Sequence, residues 1–355
     1  MTGHTDVLII GLGPAGASAA RAAAAAGCRV LAIDRKVKAG EPVQCAEFVP
    51  TMLSPVIEAV SAVRCQRIDE MQTFIENETP DRKDDFPGVM VDRAKFDQYL
   101  VRAAIDAGAM CRFNTTVADI TPDGIVLLSN GEQLGVRIVI GAVGPRSRVS
   151  CAIGTGSTEV VVARQITVPL RTPRLATDIF LSADYRGGYA WLFPRGDVAN
   201  LGLGVVPEVR DRLKQMLAQL HKSLVGEGRV ACEIVSTTGG TIPVGGMLNP
   251  QSMLGERLVL LCGDAAGLTN PITGAGISSA VLSGALAGEC ASDWLDGNEV
   301  AAAVYSEEME DLFGAALRRA VVRREAILSR YKDRAGPSRR DLRKAWIAYP
   351  EYWAA

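Results

Sequence analysis

The chain has 355 residues, with 38 lysines and arginines against 40 aspartates and glutamates, and 48% of its residues are hydrophobic. This balance excludes a disordered chain, a collagen and a disulfide scaffold, and the length predicts about two domains. The two histidines, His4 and His221, cannot form a zinc cluster, and we expect no metal site and no histidine-based triad. Scattered cysteines without a Cys-x-x-Cys pair, and no signal-peptide pattern, predict a cytoplasmic protein.

The chain begins with a strand–helix–strand pattern. Asp6–Gly11 is an apolar run of strand length, Ala17–Ala26 is an alanine-rich helical segment, and Cys28–Asp34 is a second buried-strand run. Two strands joined in this way by a helix are normally parallel, with a right-handed crossover. The pattern therefore predicts the start of a doubly wound α/β nucleotide-binding domain.

The turn between the first strand and the helix reads Gly11-Leu-Gly13-Pro14-Ala15-Gly16, which fits G-x-G-x-x-G. The first glycine permits the tight turn, the second lets the backbone approach a pyrophosphate, and the third allows close packing of helix and strand. The helix N-terminus presents free N–H groups to the phosphates. We therefore predict that this whole turn binds a dinucleotide.

Asp34 ends the second strand and Arg35 follows it. An acid at this place accepts a hydrogen bond from a ribose hydroxyl and repels a 2′-phosphate, which leaves FAD or NAD as the bound cofactor. We count both residues among those that bind it.

A second motif, far along the chain, favours FAD. Gly263 and Asp264 follow the strand run 257–262, and Gly274-Ala275-Gly276 precede a helical pattern. The aspartate is placed to accept from the ribityl hydroxyls, and the helix N-terminus can direct N–H groups at the O2/N1 edge of a flavin. The two motifs together predict that FAD is held at both ends.

Between about Val160 and Val244 the pattern changes to alternating strands with a helix near Asp211–Val225, which predicts a mainly antiparallel sheet. Residues 77–85 are polar and predict an exposed loop.

The fold class we predict is α/β, a doubly wound, Rossmann-like FAD-binding domain interrupted by an antiparallel substrate domain, plus C-terminal helices. The predicted boundaries are 1–48, 92–150 and 256–300 for the FAD-binding domain, 49–91 and 151–255 for the substrate domain, and 301–355 for the C-terminal helices.

Three aromatic residues alternate in this second sheet. Tyr189, Trp191 and Phe193 share one face of a strand, where they form either ordinary core or the wall of a substrate site.

The cofactor motifs resemble those of FAD-dependent oxidoreductases of the aromatic-hydroxylase type. Arg93 matches an arginine that contacts the cofactor in that superfamily. The middle motif, residues 141–149, departs from that group at Val143, where its members carry an aspartate. The pattern Tyr-x-Trp-x-Phe-Pro at 189–194, together with residues 42–45, is similar to the geranylgeranyl reductase family, and this resemblance covers nearly the whole chain.

The resemblance implies that the aromatic strand lines a channel for an isoprenoid chain, whose carbon–carbon double bonds receive hydride from flavin N5. Cys45 matches a family cysteine near the flavin ring, although Ala46 stands where glycine usually follows. Cys45 is then either a core thiol or a proton donor, and Glu47 is the alternative donor. The sequence has one dinucleotide-binding motif, which FAD would occupy. We therefore expect NAD(P)H or a reduced redox protein to donate electrons by docking transiently.

Two other functions stay open from the residues alone. One is a flavin-dependent monooxygenase or halogenase-like enzyme on a small apolar substrate, although Tyr189 and Phe193 depart from the halogenase motif W-x-W-x-I-P. The other is a flavin-binding protein without enzymatic activity.

The C-terminal segment 318–344 carries 11 lysines and arginines against 3 acidic residues. It is either a solvated helix face or a surface for anionic lipid headgroups or a prenyl diphosphate. We expect no nucleic-acid partner, because the rest of the chain is acidic. The protein is thus expected in the cytoplasm, either free or at the inner face of the membrane.

Overall fold

The computed structural model describes residues 5–50, 57–76, 78–145, 148–155, 159–333 and 336–354. Its strands are, in chain order, β1 (Val7–Ile10), β2 (Val30–Ile33), β3 (Phe48–Pro50), β4 (Arg64–Ile68), β5 (Glu70–Ile75), β6 (Asp81–Lys83), β7 (Gly88–Val91), β8 (Met110–Arg112), β9 (Val117–Ile120), β10 (Val126–Leu128), β11 (Gln133–Leu134), β12 (Ile138–Gly141), β13 (Val160–Pro169), β14 (Ala176–Leu181), β15 (Ala190–Arg195), β16 (Val198–Val205), β17 (Ser236–Pro243), β18 (Gln251–Leu254) and β19 (Arg257–Leu261). Its α-helices are α1 (Pro14–Ala25), α2 (Ile57–Ala62), α3 (Arg93–Asp106), α4 (Arg148–Ala152), α5 (Leu213–Gly226), α6 (Ile277–Leu295), α7 (Ala301–Met309), α8 (Ala315–Arg330), α9 (Arg339–Lys344) and α10 (Pro350–Trp353). Short 3₁₀ turns cover Pro207–Arg212 and Gly263–Ala266, and a π-helical turn, Glu310–Gly314, joins α7 to α8.

The first sheet has the strand order β18-β19-β12-β1-β2-β8. All neighbours are parallel except β18, which pairs antiparallel with β19 at the edge. Its central strand, β1, is buried along its whole length because parallel strands of this kind are covered on both faces. This sheet confirms the predicted Rossmann-like part of the fold.

Small residues let α1 and α6 pack closely beside this sheet. A Cβ atom on Gly284 would lie 2.1 Å from the carbonyl oxygen of Ala15, and one on Gly288 would lie 2.5 Å from that of Ala19. Neither position tolerates a side chain without moving the helices apart. The alanine-rich α1 therefore brings the start of α6, and with it the second cofactor motif, next to the glycine turn.

The second sheet has the order β17-β13-β16-β15-β14-β5-β6 and is antiparallel apart from the parallel pair of β14 and β5. This confirms the mainly antiparallel sheet. The loop prediction for residues 77–85 was wrong at β6, which pairs with β5 at the edge of the sheet. Its three residues are charged and exposed, a composition typical of edge strands, and its pairing depends on backbone groups that hydrophobic patterning does not reveal.

The two faces of the second sheet are covered by different elements. On one face Ile166 and Leu201 pack in a cluster with Leu213 and Leu217 of α5. On the other face the aromatic strand β15 packs against the end of the chain, and this cluster contains Trp191, Phe193, Leu342, Trp346 and Tyr349.

The C-terminal helices contribute side chains to the cores of both sheets. Tyr305 of α7 and Leu317 of α8 pack in the core of the first sheet, whereas Leu342 of α9 packs under the second. The domain boundaries drawn from the sequence stay a prediction. In the part of the chain that the structure describes, no helix is both long and apolar enough to cross a membrane.

Candidate active site

A cavity of 1490 Å³ lies where the two sheets meet. Its wall contains residues of the glycine turn, the loop 42–48, the aromatic strand β15 and the segment 271–277. Of the residues that the sequence singled out, these line it: Gly11, Gly13, Pro14, Ala15, Asp34, Arg35, Cys45, Glu47, Arg93, Tyr189, Trp191, Phe193, Asp264, Gly274, Ala275 and Gly276. Gly16 and Gly263 lie behind the wall, where they serve packing. Arg146 and Ser147 of the middle motif lie outside the described residues.

The three glycines of the turn differ in the space around them. Gly11 has a φ of +105°, and a Cβ there would lie 2.5 Å from the carbonyl oxygen of Ala142. A Cβ on Gly16 would lie 1.8 Å from the carbonyl oxygen of Gly11. At Gly13, by contrast, no described atom lies within 4 Å of the Cβ position. The turn is thus tightly packed on both sides and open in the middle, as a pyrophosphate cradle requires.

Asp34 connects the end of β2 to the glycine turn. Its Oδ2 accepts the main-chain N–H of Leu12 at 2.7 Å, and its Oδ1 accepts that of Lys36 at 2.8 Å. The carboxylate therefore shapes the turn as well as lining the cavity. Carboxylate oxygens have further lone pairs, so these two bonds leave acceptor capacity for a ribose hydroxyl.

Arg93, at the start of α3, forms a nearly buried ion pair with Asp97 one helical turn later, at 3.0 Å. Burial opposes the charge of Arg93, but the neighbouring Cys45 sulfur and the Asp97 carboxylate outweigh it and hold the pKa of Arg93 above its ordinary value. Burial also raises the pKa of Asp97, although Arg93 opposes that shift. Sequence reasoning missed Asp97, which the i,i+4 spacing from Arg93 would have indicated.

Glu47 holds the loop 42–48 against α3, β15 and β16. This buried residue has a φ of +68°, and its Oε1 accepts the main-chain N–H of Arg93 at 3.1 Å and the Nη1 of Arg195 at 3.2 Å. Its Oε2 accepts the Nδ2 of Asn200 at 2.9 Å. All three partners are donors, so the carboxyl group serves here as an acceptor.

Cys45 lies in the same loop and lines the cavity. Its Sγ accepts the main-chain N–H of Glu47 at 3.2 Å. The catalytic roles assigned to these two residues stay predictions.

The aromatic strand is connected to this loop by hydrogen bonds. Trp191 donates its Nε1–H to Oε1 of Gln165 at 3.0 Å, and Nε2 of Gln165 donates to the carbonyl oxygen of Cys45 at 3.1 Å. Tyr189 donates to the carbonyl oxygen of Thr273 at 2.5 Å, and burial raises the pKa of its hydroxyl, which keeps it a neutral donor. Gln165 was not predicted, because nothing in its local sequence distinguishes it.

The rings of the strand form a continuous aromatic wall. The ring centroids of Phe193 and Phe48 are 5.5 Å apart, and those of Tyr189 and Trp346 are 4.9 Å apart. Trp346 and Ile347 themselves line the cavity. The end of the chain therefore completes a wall that the sequence assigned to β15 alone.

Asp264 also lines the cavity, next to the start of α6. Thr269 donates its hydroxyl to Oδ1 of Asp264 at 2.6 Å, and burial raises the pKa of this carboxyl group, although that hydrogen bond opposes the shift. A Cβ on Gly276 would lie 2.7 Å from the hydroxyl oxygen of Thr269, so the glycine is required for the close approach. These residues, with the open cradle at Gly13, fit FAD.

The comparisons with known proteins agree with this site. The family model described as Lycopene cyclase protein matches residues 6–190. The chain is 31% identical to digeranylgeranylglycerophospholipid reductase 2 of Methanopyrus kandleri in an alignment of 349 positions that covers 89% of this chain and 85% of that one. The chain belongs to the geranylgeranyl reductase family. The family membership makes it an FAD-dependent oxidoreductase, which confirms the cofactor and the enzyme class predicted from the two motifs.

Solved structures of other proteins share the architecture of this geranylgeranyl reductase family member. A geranylgeranyl bacteriochlorophyll reductase-like protein of Thermoplasma acidophilum superposes with a TM-score of 0.82 at 25% identity, over 98% of each chain. A probable FAD-dependent monooxygenase of Pseudomonas aeruginosa superposes with a TM-score of 0.71 at 19% identity, over 96% of this chain and 99% of that one. The second likeness shows the fold alone.

Proposed function

We propose that this protein saturates carbon–carbon double bonds of an isoprenoid chain with FAD as its cofactor. The observation that carries the proposal is that the aromatic wall of Tyr189, Trp191 and Phe193 lines the same cavity as both cofactor motifs. A long apolar chain needs such a wall, and relatives named digeranylgeranylglycerophospholipid reductase act on lipids of this class.

The residues divide into those that hold the cofactor and those that shape the substrate space. Gly13, Asp34, Arg93 and Asp264 would hold FAD along its length, and FAD in its reduced form would supply hydride to one alkene carbon. The aromatic wall excludes water and orients the chain. Because an isolated alkene is a poor hydride acceptor, this placement supplies much of the rate.

The second alkene carbon needs a proton, and we assign its delivery to Cys45. The thiol lines the cavity, whereas both carboxylate oxygens of Glu47 already accept N–H donors. Glu47 is then a positioning residue that fixes the loop carrying Cys45.

Electrons reach the cofactor from NAD(P)H or a reduced redox protein that docks transiently. Support comes from the single G-x-G-x-x-G turn between a strand and a helix, which FAD would fill.

We further propose that the protein contacts the inner face of the membrane through one side of α8 and α10. Arg324 of the basic segment serves the fold instead, since it is buried and donates to the carbonyl oxygen of Gly187. Leu312, Val322 and Trp353 are more than half exposed, and Arg319 lies 5.2 Å from the Trp353 ring. Apolar side chains beside arginines suit an anionic lipid interface.

Sedimentation with vesicles tests this membrane contact. We expect binding to phosphatidylglycerol vesicles, little binding to phosphatidylcholine, and a several-fold loss in the double variant Val322→Ser, Trp353→Ser. Val300→Ser, which changes an exposed valine immediately before α7, is the control. Equal binding of wild type and double variant would exclude this surface.

The reductase proposal is tested with photoreduced holoenzyme under anaerobic conditions. Adding geranylgeranyl diphosphate should restore the absorbance of oxidised flavin and yield a product with two more hydrogens for each reduced double bond. The saturated phytanyl diphosphate should leave the flavin reduced. Hydroxylated product formed with NADPH and oxygen, without anaerobic alkene reduction, would instead support a monooxygenase.

A further inference from the structure

We propose that Arg93 is a catalytic residue of the reduction, because its guanidinium stabilises the thiolate that Cys45 becomes when it gives up its proton. The inference rests on the proposed function, which assigns proton delivery to Cys45. It gives Arg93 a role at the reacting sulfur that is separate from holding FAD. Both residues line the cavity, and Arg93 is the first residue of α3.

Asp97 fixes the guanidinium of Arg93 on one side. Nε and Nη2 of Arg93 donate to Oδ1 of Asp97 at 3.1 and 3.0 Å, and Nη2 also donates to Oδ2 at 3.3 Å. The main-chain N–H of Arg93 donates to Oε1 of Glu47 at 3.1 Å, so the backbone and the head of the arginine are both anchored. These bonds leave Nη1 for another acceptor.

The sulfur of Cys45 is the second partner of this guanidinium. Burial lowers the pKa of Arg93, but the charge of the Cys45 sulfur and then that of the Asp97 carboxylate outweigh burial and raise it. A group that acts on the guanidinium at least as strongly as a carboxylate 3.0 Å away lies in contact with it. Because the attraction is mutual, the guanidinium stabilises negative charge on the sulfur.

A second donor points at the same sulfur. The main-chain N–H of Glu47 lies 3.2 Å from Sγ of Cys45. Glu47 has a left-handed φ of +68°, which is uncommon outside glycine and costs free energy. Hydrogen bonds from Arg195 and Asn200 to its carboxylate hold it in this conformation. The loop therefore maintains backbone strain at the point where an N–H group reaches the thiol.

The charges around Cys45 balance while the thiol carries its proton. Two carboxylates, those of Glu47 and Asp97, pair with two guanidinia, those of Arg195 and Arg93, at 3.2 and 3.0 Å. The cluster is neutral before the reaction, when a proton donor has to be protonated. Negative charge then develops on the sulfur during the transfer, and two donors are already in place to receive it. Preorganised donors of this kind lower a barrier because they need not reorient.

The proposed step balances in atoms and electrons. One alkene carbon receives hydride from reduced FAD, which is thereby oxidised. The S–H bond of Cys45 breaks, and the π electrons of the alkene form the second C–H bond with its proton. The electron pair of the S–H bond stays on Cys45 as a thiolate beside Arg93, and water afterwards returns a proton to the sulfur.

Alkylation by iodoacetamide tests the contact without turnover, in full-length, FAD-loaded protein whose FAD occupancy is checked by absorbance. The thiolate is the form that reacts, so the rate reports its stabilisation. Arg93→Gln should slow the labelling of Cys45 about tenfold, and Arg93→Lys, which keeps a charge, should restore most of the rate. Labelling is quantified on the Cys45 peptide by mass spectrometry, because other cysteines are exposed and also react: Cys65, Cys151 and Cys232.

Two further variants make this measurement specific. Arg102→Gln is the matched control, because Arg102 forms the same i,i+4 ion pair on α3, with Asp106, but between exposed side chains. Arg93→Gln leaves the buried Asp97 without its counterion, which lowers stability. The double variant Arg93→Gln, Asp97→Asn removes both charges and avoids that cost, so it should fold and also label Cys45 slowly.

Kinetics in the presence and absence of the thiol separate this role from FAD binding. At full FAD occupancy, Arg93→Gln should lower kcat for geranylgeranyl diphosphate about tenfold and leave KM unchanged. In the Cys45→Ala protein the same substitution should cause no further loss, because the sulfur through which Arg93 acts is gone.

Three results would overturn the inference. One is equal labelling of Cys45 in wild type, Arg93→Gln and the double variant. Another is the same loss of kcat from Arg93→Gln with and without Cys45, which would leave Arg93 a contact of FAD alone. The third is alkene reduction by Cys45→Ala at the wild-type rate. If the wild-type protein reduces no isoprenoid, the proposed function fails, and the labelling of Cys45 alone decides whether Arg93 stabilises its thiolate.

Discussion

The indole N–H of Trp191 and the amide oxygen of Gln165 are 3.0 Å apart, and through this bond the aromatic wall is joined to the loop of Cys45. Trp191→Phe should leave the amide oxygen without its donor and lower the free energy of unfolding by about 1–3 kcal/mol. It should also slow alkene reduction, because the loop loses its support. Chemical denaturation and single-turnover kinetics measure the two effects.

Trp346→Phe is the matched control for that change. Its Nε1 has no hydrogen-bond partner among the described residues, so the substitution breaks no hydrogen bond. An equal loss of stability in both variants would show that ring size, and not the hydrogen bond, accounts for the effect.

Glycine-to-alanine substitutions at two positions of the glycine turn should have different effects, one on FAD binding and one on stability. Gly13→Ala should fold normally, because the Cβ position is open, but its methyl group should occupy pyrophosphate space and weaken FAD binding at least tenfold. Gly16→Ala should destabilise the protein without FAD by about 1–3 kcal/mol through overpacking against Gly11. Thermal unfolding and FAD titration measure these outcomes. Unchanged FAD affinity in Gly13→Ala would contradict the cradle.

Cys45 and Glu47 should respond differently to substitution. If the thiol delivers the proton, Cys45→Ala should lower kcat for alkene reduction about 100-fold or more and retain FAD affinity. Glu47→Gln should mainly lower stability, because it replaces the charged partner of Arg195. Stopped-flow reoxidation of the reduced flavin measures the first effect. A larger kcat loss in Glu47→Gln, at full stability, would transfer the proton role to the carboxyl group.

The end of the chain is held by Asp81, whose Oδ2 accepts both the Tyr349 hydroxyl at 2.8 Å and the Nη1 of Arg343 at 2.9 Å. A double-mutant cycle of Asp81→Asn and Tyr349→Phe should give a coupling energy of about 1 kcal/mol. Each variant should also loosen the aromatic wall, measured as increased binding of a hydrophobic dye. Additive effects would show that the contact does not hold the segment.

Local sequence patterns were sufficient to predict those parts of the site whose features depend on neighbouring residues. The glycine turn between β1 and α1, Asp34 at the end of β2, and the alternating rings of β15 each follow from a strand or helix period and a backbone requirement. The motif around Asp264 was recognisable because it, too, lies at the junction of a strand and a helix. For these residues the expected chemistry depends on a few neighbouring positions.

Other parts of the site depend on contacts between distant residues. Gln165 and Cys45 are 120 residues apart, and Asn200 and Glu47 are 153 apart. A buried glutamine or asparagine has no periodic signal, and its partner is selected only when the sheets meet. Trp346 likewise reaches the aromatic wall because α9 and α10 fold back under the second sheet.

The amino-acid order alone determined that the protein binds FAD and has two kinds of sheet, because turns, strand runs and helix starts are short-range features. The tertiary structure decided what encloses the substrate space: which loop supports the rings and which tryptophan closes the wall. Those relationships arise when distant segments pack on a common core, and the energy that selects them is absent from any single segment.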